Sequence, residues 1–381
     1  MDHGKIAKIV SSYDQDALAI CALGSHSALD LAAGAREEGL KFVAVCEKGR
    51  EKTYKQYFGK RKNAAGESVG CVDEVLVVDR FKDVLKPEFQ QKLRERNALF
   101  VPHRSFQVYL DFDYDSIENK FEVPVLGSRD MLRAEERTSK NNQYDLLRKA
   151  GIRMPVQFKA PGDIDRLVIV KASEKERKFE RAFFFCSNEK EFREVGGKMV
   201  KAGKITQESL DSAVIEEFVA GTQVNFNYFH SPVTGELELL GTDTRRQTNL
   251  DGIMRMPADV QIEALKHVQP KFEEAGHIAV TVLESMLEHI YDLGEKFVAT
   301  AKKEYPPGII GPFALQGAIL PGPPKKEAVI FDVSMRMPGS PGVRFTPYSG
   351  YLRGESFSAG RRLAREVVLA RKAGKLEKIV T

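Results

Sequence analysis

Four short apolar runs in the first third of the chain do most to limit what it can fold into: ALAICALG (17–24), KFVAVCE (41–47), EVLVVD (74–79) and ALFVPH (98–103). Between them lie segments of helical composition, such as ALDLAAGAREEGL and PEFQQKLRERN. That alternation predicts βαβ units around a parallel sheet. Sheets of this kind take their ligands at the carboxyl ends of the strands, where loops are free and helix N-termini point inward. Two such ends are polar here. GSHSALD follows the first run, so that His26 and nearby backbone donors can hold phosphate, while Ser25 or Ser27 can equally serve as a helix N-cap. PHRSF (102–106) places His103, Arg104 and Ser105 at the end of the fourth run, which makes a site shared by both ends the stronger expectation.

Further along, residues 139–158 read as a helix stopped by Gly151 and followed by extended chain. RLVIVKAS (166–173) reads as a strand with Lys171 near its end, and AFFFCS (182–187) as its antiparallel partner. EKEFREVGGKMVKAG is helical, VNFNYFHS and ELELLGTDTRR form a strand pair joined by PVTG, and residues 259–303 read as a long helix. Two strands flanking the PGPPKKE turn bring Gln316 and Asp332 near each other, and the last 25 residues form an amphipathic helix packed back on the body.

The chain has 381 residues, 42% of them apolar, which is enough for two or three domains with their own cores. Its 58 basic and 54 acidic side chains leave +4, spread without a basic block, so neither nucleic acid nor a membrane surface is an expected partner. Cys21, Cys46, Cys71 and Cys186 show no CxxC spacing and sit in or beside apolar runs, the pattern of buried free thiols in a reducing compartment. The N-terminus has neither a membrane span nor a cleavage pattern, and a cytoplasmic location is expected.

The chemistry is concentrated in AVIFDVSMRMPG (328–339), where Asp332, Ser334 and Arg336 alternate with Val333 and Met335. On a strand, one face then carries an acid, a hydroxyl and a cation. A magnesium–nucleotide site needs hard oxygen ligands and a cation for phosphoryl groups, which Gln316, Asp332 and Arg336 can supply. The plainer alternative is a solvated face on which Asp332 and Arg336 pair with each other. Lys171 is either a strand-end surface charge or an ammonium aimed into a cleft. IEEFVAG (215–221) is either an acidic surface pair or a bend whose backbone reads an adenine edge. TDTRRQTNLDG (242–252), with Asp243, Arg245 and Asn249, is either an exposed loop or a substrate clamp.

Taken in order, GSHSALD, VPVLGSRD, IEEFVAG, TRRQTNLDGIMRMPAD, GPFALQG, FDVSMRMPGSPGV and SAGRRLAREV with LEKIVT resemble the ATP-grasp superfamily, and within it the archaeal purine-biosynthetic formate–AICAR ligases, over nearly the whole chain. The resemblance implies an α/β N-terminal domain (1–124) followed by a two-part α+β ATP-grasp fold, with the small lid in 125–220 and the larger part in 221–381. It implies ATP with Mg2+ or Mn2+, the substrates AICAR and formate, and homo-oligomeric assembly. It implies that His26, Ser27, Ser105, Arg245 and Asn249 meet the aminoimidazole nucleotide, and that Lys171, Glu216, Glu217, Val219, Asn225 and Arg336 serve ATP. Gln316 and Asp332 take the positions of the metal ligands, while His26 and Arg336 are the residues nearest the chemistry.

The family's glycine-rich phosphate loop corresponds here to KASEKERKFERAFFF (171–185), which has no glycine, so that Lys175, Arg177, Lys178 or Arg181 would replace backbone donors with cations. Gln316 is neutral where a carboxylate is expected, and Asp332 is shorter than the usual glutamate. These departures leave two alternatives beside the formate–AICAR ligase: an ATP-grasp ligase for another acid and amine, and a non-catalytic nucleotide-binding paralogue.

Overall fold

The structure, a computed structural model, describes residues 3–381 except 138, 174–180, 269, 272 and 323. It divides into two compact units, one built from Met1–Ile152, Gln223–Gly317 and Asp332–Thr381 and the other from Arg153–Thr222 and Ala318–Phe331.

The first unit opens with β1 (Ala19–Leu23) and β2 (Lys41–Glu47), continues through a small hairpin of β3 (Arg61–Lys62) and β4 (Ser68–Val69), and adds β5 (Glu74–Val78) and β6 (Ala98–Phe100). β5, β2, β1 and β6 lie side by side in that order, each parallel to its neighbours. Every residue of β1 is buried, as a strand covered on both faces requires. One face packs under the helices Ala28–Glu37 and Ala359–Lys372, the latter being the expected C-terminal amphipathic helix. These helices approach closely because Gly34 and Gly360 lack side chains: a Cβ on either would lie 2.3 Å from backbone of the other helix. Asp30 fixes the crossing by accepting the Gly360 N–H at 2.9 Å.

The second unit carries β7 (Gln157–Phe158), β8 (Val168–Ser173), β9 (Arg181–Cys186) and β10 (Val214–Glu217), antiparallel in the order β7-β10-β8-β9. β9 is thus the antiparallel partner expected for the Lys171 strand. Val168, Val170 and Ala172 alternate into a core with Phe184, Phe192 and Ile215, which leaves Lys171 on the opposite face.

The remaining sheet has the order β13-β12-β11-β14-β15, with β11 (Thr222–His230), β12 (Leu237–Gln247), β13 (Glu274–Val280), β14 (Gly311–Leu320) and β15 (Glu327–Ser334). β11 and β12 form the expected antiparallel pair, and β14 neighbours β15 as the hairpin reading requires. The stretch read as one helix over 259–303 is instead a short helix (Ala258–Ala264), the edge strand β13, and a second helix (Leu287–Glu304). Gly276 at φ +149° and the β-branched Ile278, Val280 and Val282 favour extended chain there, and pairing with β12 holds it. All four cysteines are free and buried, as expected.

Candidate functional site

The first unit brings the two polar strand ends together. β1 stops at Gly24, where any Cβ would lie 2.5 Å from Cys46 Sγ, and the backbone then turns through His26 at φ +51°, a left-handed conformation that non-glycine residues adopt sparingly. His26 and His103 stack, with ring centroids 5.4 Å apart and planes 18° from parallel. His103, at the end of β6, is fully buried, and its Nε2 meets the Leu23 carbonyl at 3.0 Å. Ser105 Oγ donates to Ser25 Oγ at 3.0 Å, and Tyr109 lies 3.5 Å from the same hydroxyl while accepting from Arg50 at 2.9 Å.

The 336–340 stretch joins this corner. Met337 bridges His103 in parallel register, its N–H donating to the Pro102 carbonyl at 3.2 Å. Arg336 is thereby held in the interior, with Nε 3.3 Å from Glu135 Oε2 and 3.3 Å from Gln107 Oε1. Glu135 is itself fixed by the Met335 N–H at 2.7 Å and has Arg104 at 3.8 Å. Asp332 pairs with Arg137 at 3.5 Å, so the acid and the arginine of FDVSMRMPG each have another partner and are not one exposed ion pair. Burial alone would raise the Asp332 carboxyl, but Arg137 and then Arg245 bring it below its ordinary value. Burial is also what lowers the Arg336 guanidinium, with Glu135 opposing.

Gln316 on β14 accepts from Arg245 at 2.5 Å and donates to Ser334 at 2.8 Å. Its carbonyl oxygen and the Asp332 carboxylate therefore sit on neighbouring strands, both hard oxygen donors, a set that suits magnesium shared with phosphate oxygens. Among the described residues no group of three or more His, Cys, Asp or Glu side chains could form an all-protein metal cage. Asn249 lies at the start of the helix Thr248–Ile253 and accepts the Lys271 N–H at 2.7 Å.

A cluster centred on Asp243, which the sequence marks, and His277, which it does not, lies across β11, β12 and β13. Asp243, fully buried, accepts from Asn225 at 3.0 Å, from Asn227 at 2.6 Å and from His277 Nδ1. Glu274 lies 2.9 Å from His277 Nε2, and Ser340 Oγ 3.1 Å from its Nδ1. Burial would depress the imidazole, yet Asp243 and Glu274 outweigh it and push His277 up to about 9. His26, although the residue as a whole is exposed, moves the other way, down to about 2, through desolvation of its ring first and then through the neighbouring His103, Arg336, His277 and Arg104. The missed signal was GHIAV, a glycine before alternating apolar residues inside a segment otherwise rich in helix formers.

In the second unit, Lys171 forms an ion pair with Glu216, and both are buried or nearly so. Glu217 accepts the Val156 N–H at 3.1 Å and faces Arg153 at 3.6 Å. Val219 lies in the turn after β10, its carbonyl accepting the Gly221 N–H at 2.9 Å; a Cβ on Gly221 would sit 2.6 Å from the Ile319 carbonyl oxygen. Lys175, Arg177 and Lys178 lie outside the described residues, as does the side chain of Arg181.

Residues 191–381 match a family model described as a domain of unknown function, DUF1297, and residues 20–158 match a protein of unknown function, DUF1246. A 5-formaminoimidazole-4-carboxamide-1-(beta)-D-ribofuranosyl 5'-monophosphate synthetase of Methanopyrus kandleri is 42% identical over 99% of both chains. The chain belongs to this synthetase family. The crystal structure of an IMP biosynthesis protein PurP from Thermococcus kodakaraensis covers 95% of this chain and 100% of its own, at 27% identity and TM-score 0.68. An ADP complex of an N5-carboxyaminoimidazole ribonucleotide synthetase, at 12% identity and TM-score 0.54 over 90% of this chain and 77% of its own, shares the fold alone. The fold is that of the ATP-grasp ligases, as the motifs implied.

Proposed function

We propose that this chain is an ATP- and formate-dependent ligase that converts AICAR to 5-formaminoimidazole-4-carboxamide ribonucleotide in purine biosynthesis. The observation that carries the reading is the end-to-end 42% identity to a synthetase named for that product. Arg336 and the His26–His103 pair, brought to one corner of the first unit, support it.

In this reading a formate oxygen attacks the γ-phosphorus of ATP, ADP leaves, and formyl phosphate forms. The 5-amine of AICAR then attacks the formyl carbon, phosphate leaves with the bonding electrons of the C–O bond, and the amine proton departs with it. Neither step needs a protein nucleophile, in keeping with four buried thiols. Arg336 offers a fixed fork of donors to the phosphoryl oxygens, and its own partner Glu135 keeps the fork oriented. Gln316 and Asp332 would hold Mg2+ or Mn2+, which offsets phosphate charge. Lys171, Glu216, Glu217, Val219 and Asn225 are the further residues proposed for ATP, and His26, Ser27, Ser105, Arg245 and Asn249 those for AICAR. His26, disfavoured as a cation, acts as a neutral hydrogen-bonding group that orients the amine and does not store its proton. Residues 1–124, 125–220 and 221–381 are proposed as the functional parts, with the cytoplasm as the location and self-association as the assembly. Among the described residues no helix is long and apolar enough to cross a membrane.

The neutral Gln316 and the absence of glycine from 171–185 favour one second reading, a ligase of the same fold for another acid and amine. ADP release measured with each acid and amine omitted in turn decides between them. A requirement for both formate and AICAR supports the first reading, and release with a different pair supports the second.

A further inference from the structure

Ser27 stands at the N-cap position of the helix Ala28–Glu37, yet its side chain makes no capping hydrogen bond. Its hydroxyl is used elsewhere. Ser27 Oγ lies 2.6 Å from the Pro338 carbonyl oxygen and 2.5 Å from His26 Nδ1. A hydroxyl has one hydrogen, and a carbonyl can only accept. If that hydrogen pointed at His26, two oxygens would face each other at 2.6 Å with nothing between them. The hydrogen therefore goes to Pro338, and Ser27 Oγ accepts from His26. Nδ1 must carry the imidazole proton, which leaves the lone pair on Nε2.

Gly339 lies against the ring beside Nε2. A Cβ at 339 would come 2.9 Å from Nε2, 3.0 Å from Cε1 and 3.7 Å from Cδ2, so any other residue there presses on the imidazole next to its lone-pair nitrogen. The same loop is tied on its far side, where Ser340 meets His277, itself gripped by Asp243 and Glu274. Residues 338–340 are thus held from both ends, with their one side-chain-free position beside His26.

We infer that Ser27 and the Pro338 carbonyl are positioning groups that fix the tautomer of His26, so that Nε2, beside Gly339, accepts a hydrogen bond from the amine of the substrate. This rests on the ligase reading for the identity of the amine, though the tautomer itself does not. An acceptor at Nε2 draws an N–H away from the amine nitrogen and points the nitrogen lone pair toward the acyl carbon. The opposite tautomer would present an N–H there and oppose attack.

The test uses the full chain with 15N-labelled histidine. His26 is picked out among the seven histidines by its disappearance in a His26→Gln variant. The expected spectrum of the ligand-free protein has a protonated-type Nδ1 and a lone-pair-type Nε2 for His26. Ser27→Ala moves both resonances toward the tautomer-averaged positions, and Ser27→Thr, which keeps the hydroxyl, restores them. In the ligation assay Ser27→Ala lowers kcat about tenfold, the scale of one misdirected hydrogen bond, with KM for ATP unchanged. Ser27→Thr recovers the rate, and Gly339→Ala raises KM for the amine. A wild-type spectrum with the proton on Nε2, or a Ser27→Ala spectrum identical to wild type, overturns the inference. Absence of formate- and AICAR-dependent turnover in the wild type, with the expected spectra intact, would overturn the substrate reading and leave the tautomer assignment standing.

Discussion

Replacing His277 by Gln tests whether the buried cluster beneath the 338–340 loop carries a charge. The wild-type imidazole is pushed up to about 9 from an ordinary value near 6.5, against burial, by Asp243 and Glu274. A group whose pKa is higher folded than unfolded adds stability that is complete below the unfolded value and disappears as pH rises through the folded one. The difference of roughly 2.5 units, at about 1.4 kcal/mol each, sets a ceiling of about 3 kcal/mol below pH 6.5. The same relation leaves about 2 kcal/mol near pH 7.5 and well under 1 kcal/mol above pH 9. Glutamine removes the titrating group while Asn225 and Asn227 still donate to Asp243, so the carboxylate is not abandoned. Urea unfolding of both proteins, followed by circular dichroism because the chain has no tryptophan, should show a wild-type advantage that shrinks between about pH 6 and pH 9.5. An advantage that is constant over that window would refute a charged His277.

Four further outcomes are expected. Arg336→Met should lower kcat by about two to three orders of magnitude with little change in KM for AICAR, as loss of a donor to transferring phosphoryl oxygens does; stopped-flow ADP release checks it. Asp332→Asn should raise the Mg2+ concentration for half-maximal turnover by about tenfold, read by metal titration at saturating ATP. Lys171→Met strands the buried Glu216 carboxylate and should weaken ATP binding about tenfold or more in calorimetry, with a loss of stability on the order of 3 kcal/mol in the second unit. Iodoacetamide should leave the native activity intact, because burial raises the thiols of Cys46, to about 12, and Cys186, to about 11, and none of the four serves as nucleophile.

The parts of the fold most open to reading were those with a strict local period. β1, β2, β5 and β6 are continuous apolar runs because both faces of a parallel sheet are covered, and His26 and His103 follow from where such runs end. The β14–β15 hairpin announces itself through the proline-rich turn, and with it the neighbouring strands of Gln316 and Asp332. What stayed hidden depends on partners distant in sequence. Glu135 sits in a stretch without clear period, and only the fold brings it to Arg336, 201 positions later, by way of the 2.7 Å bond from Met335. His277 was lost because an edge strand flanked by charged, helix-forming residues borrows its conformation from β12. For Ser27 the sequence leaves a helix cap and a substrate contact both open, and it holds no sign of the Pro338 carbonyl, 311 positions away, that takes the hydroxyl instead of the helix backbone.

The most direct measurement is ADP release by the purified chain with ATP, Mg2+, 14C-formate and AICAR, with the nucleotide product followed by label. Label appearing in the formamido nucleotide in step with ADP, and only when all the substrates are present, is the predicted result. ADP formed at the same rate without AICAR or formate, or label that never leaves formate, would contradict it.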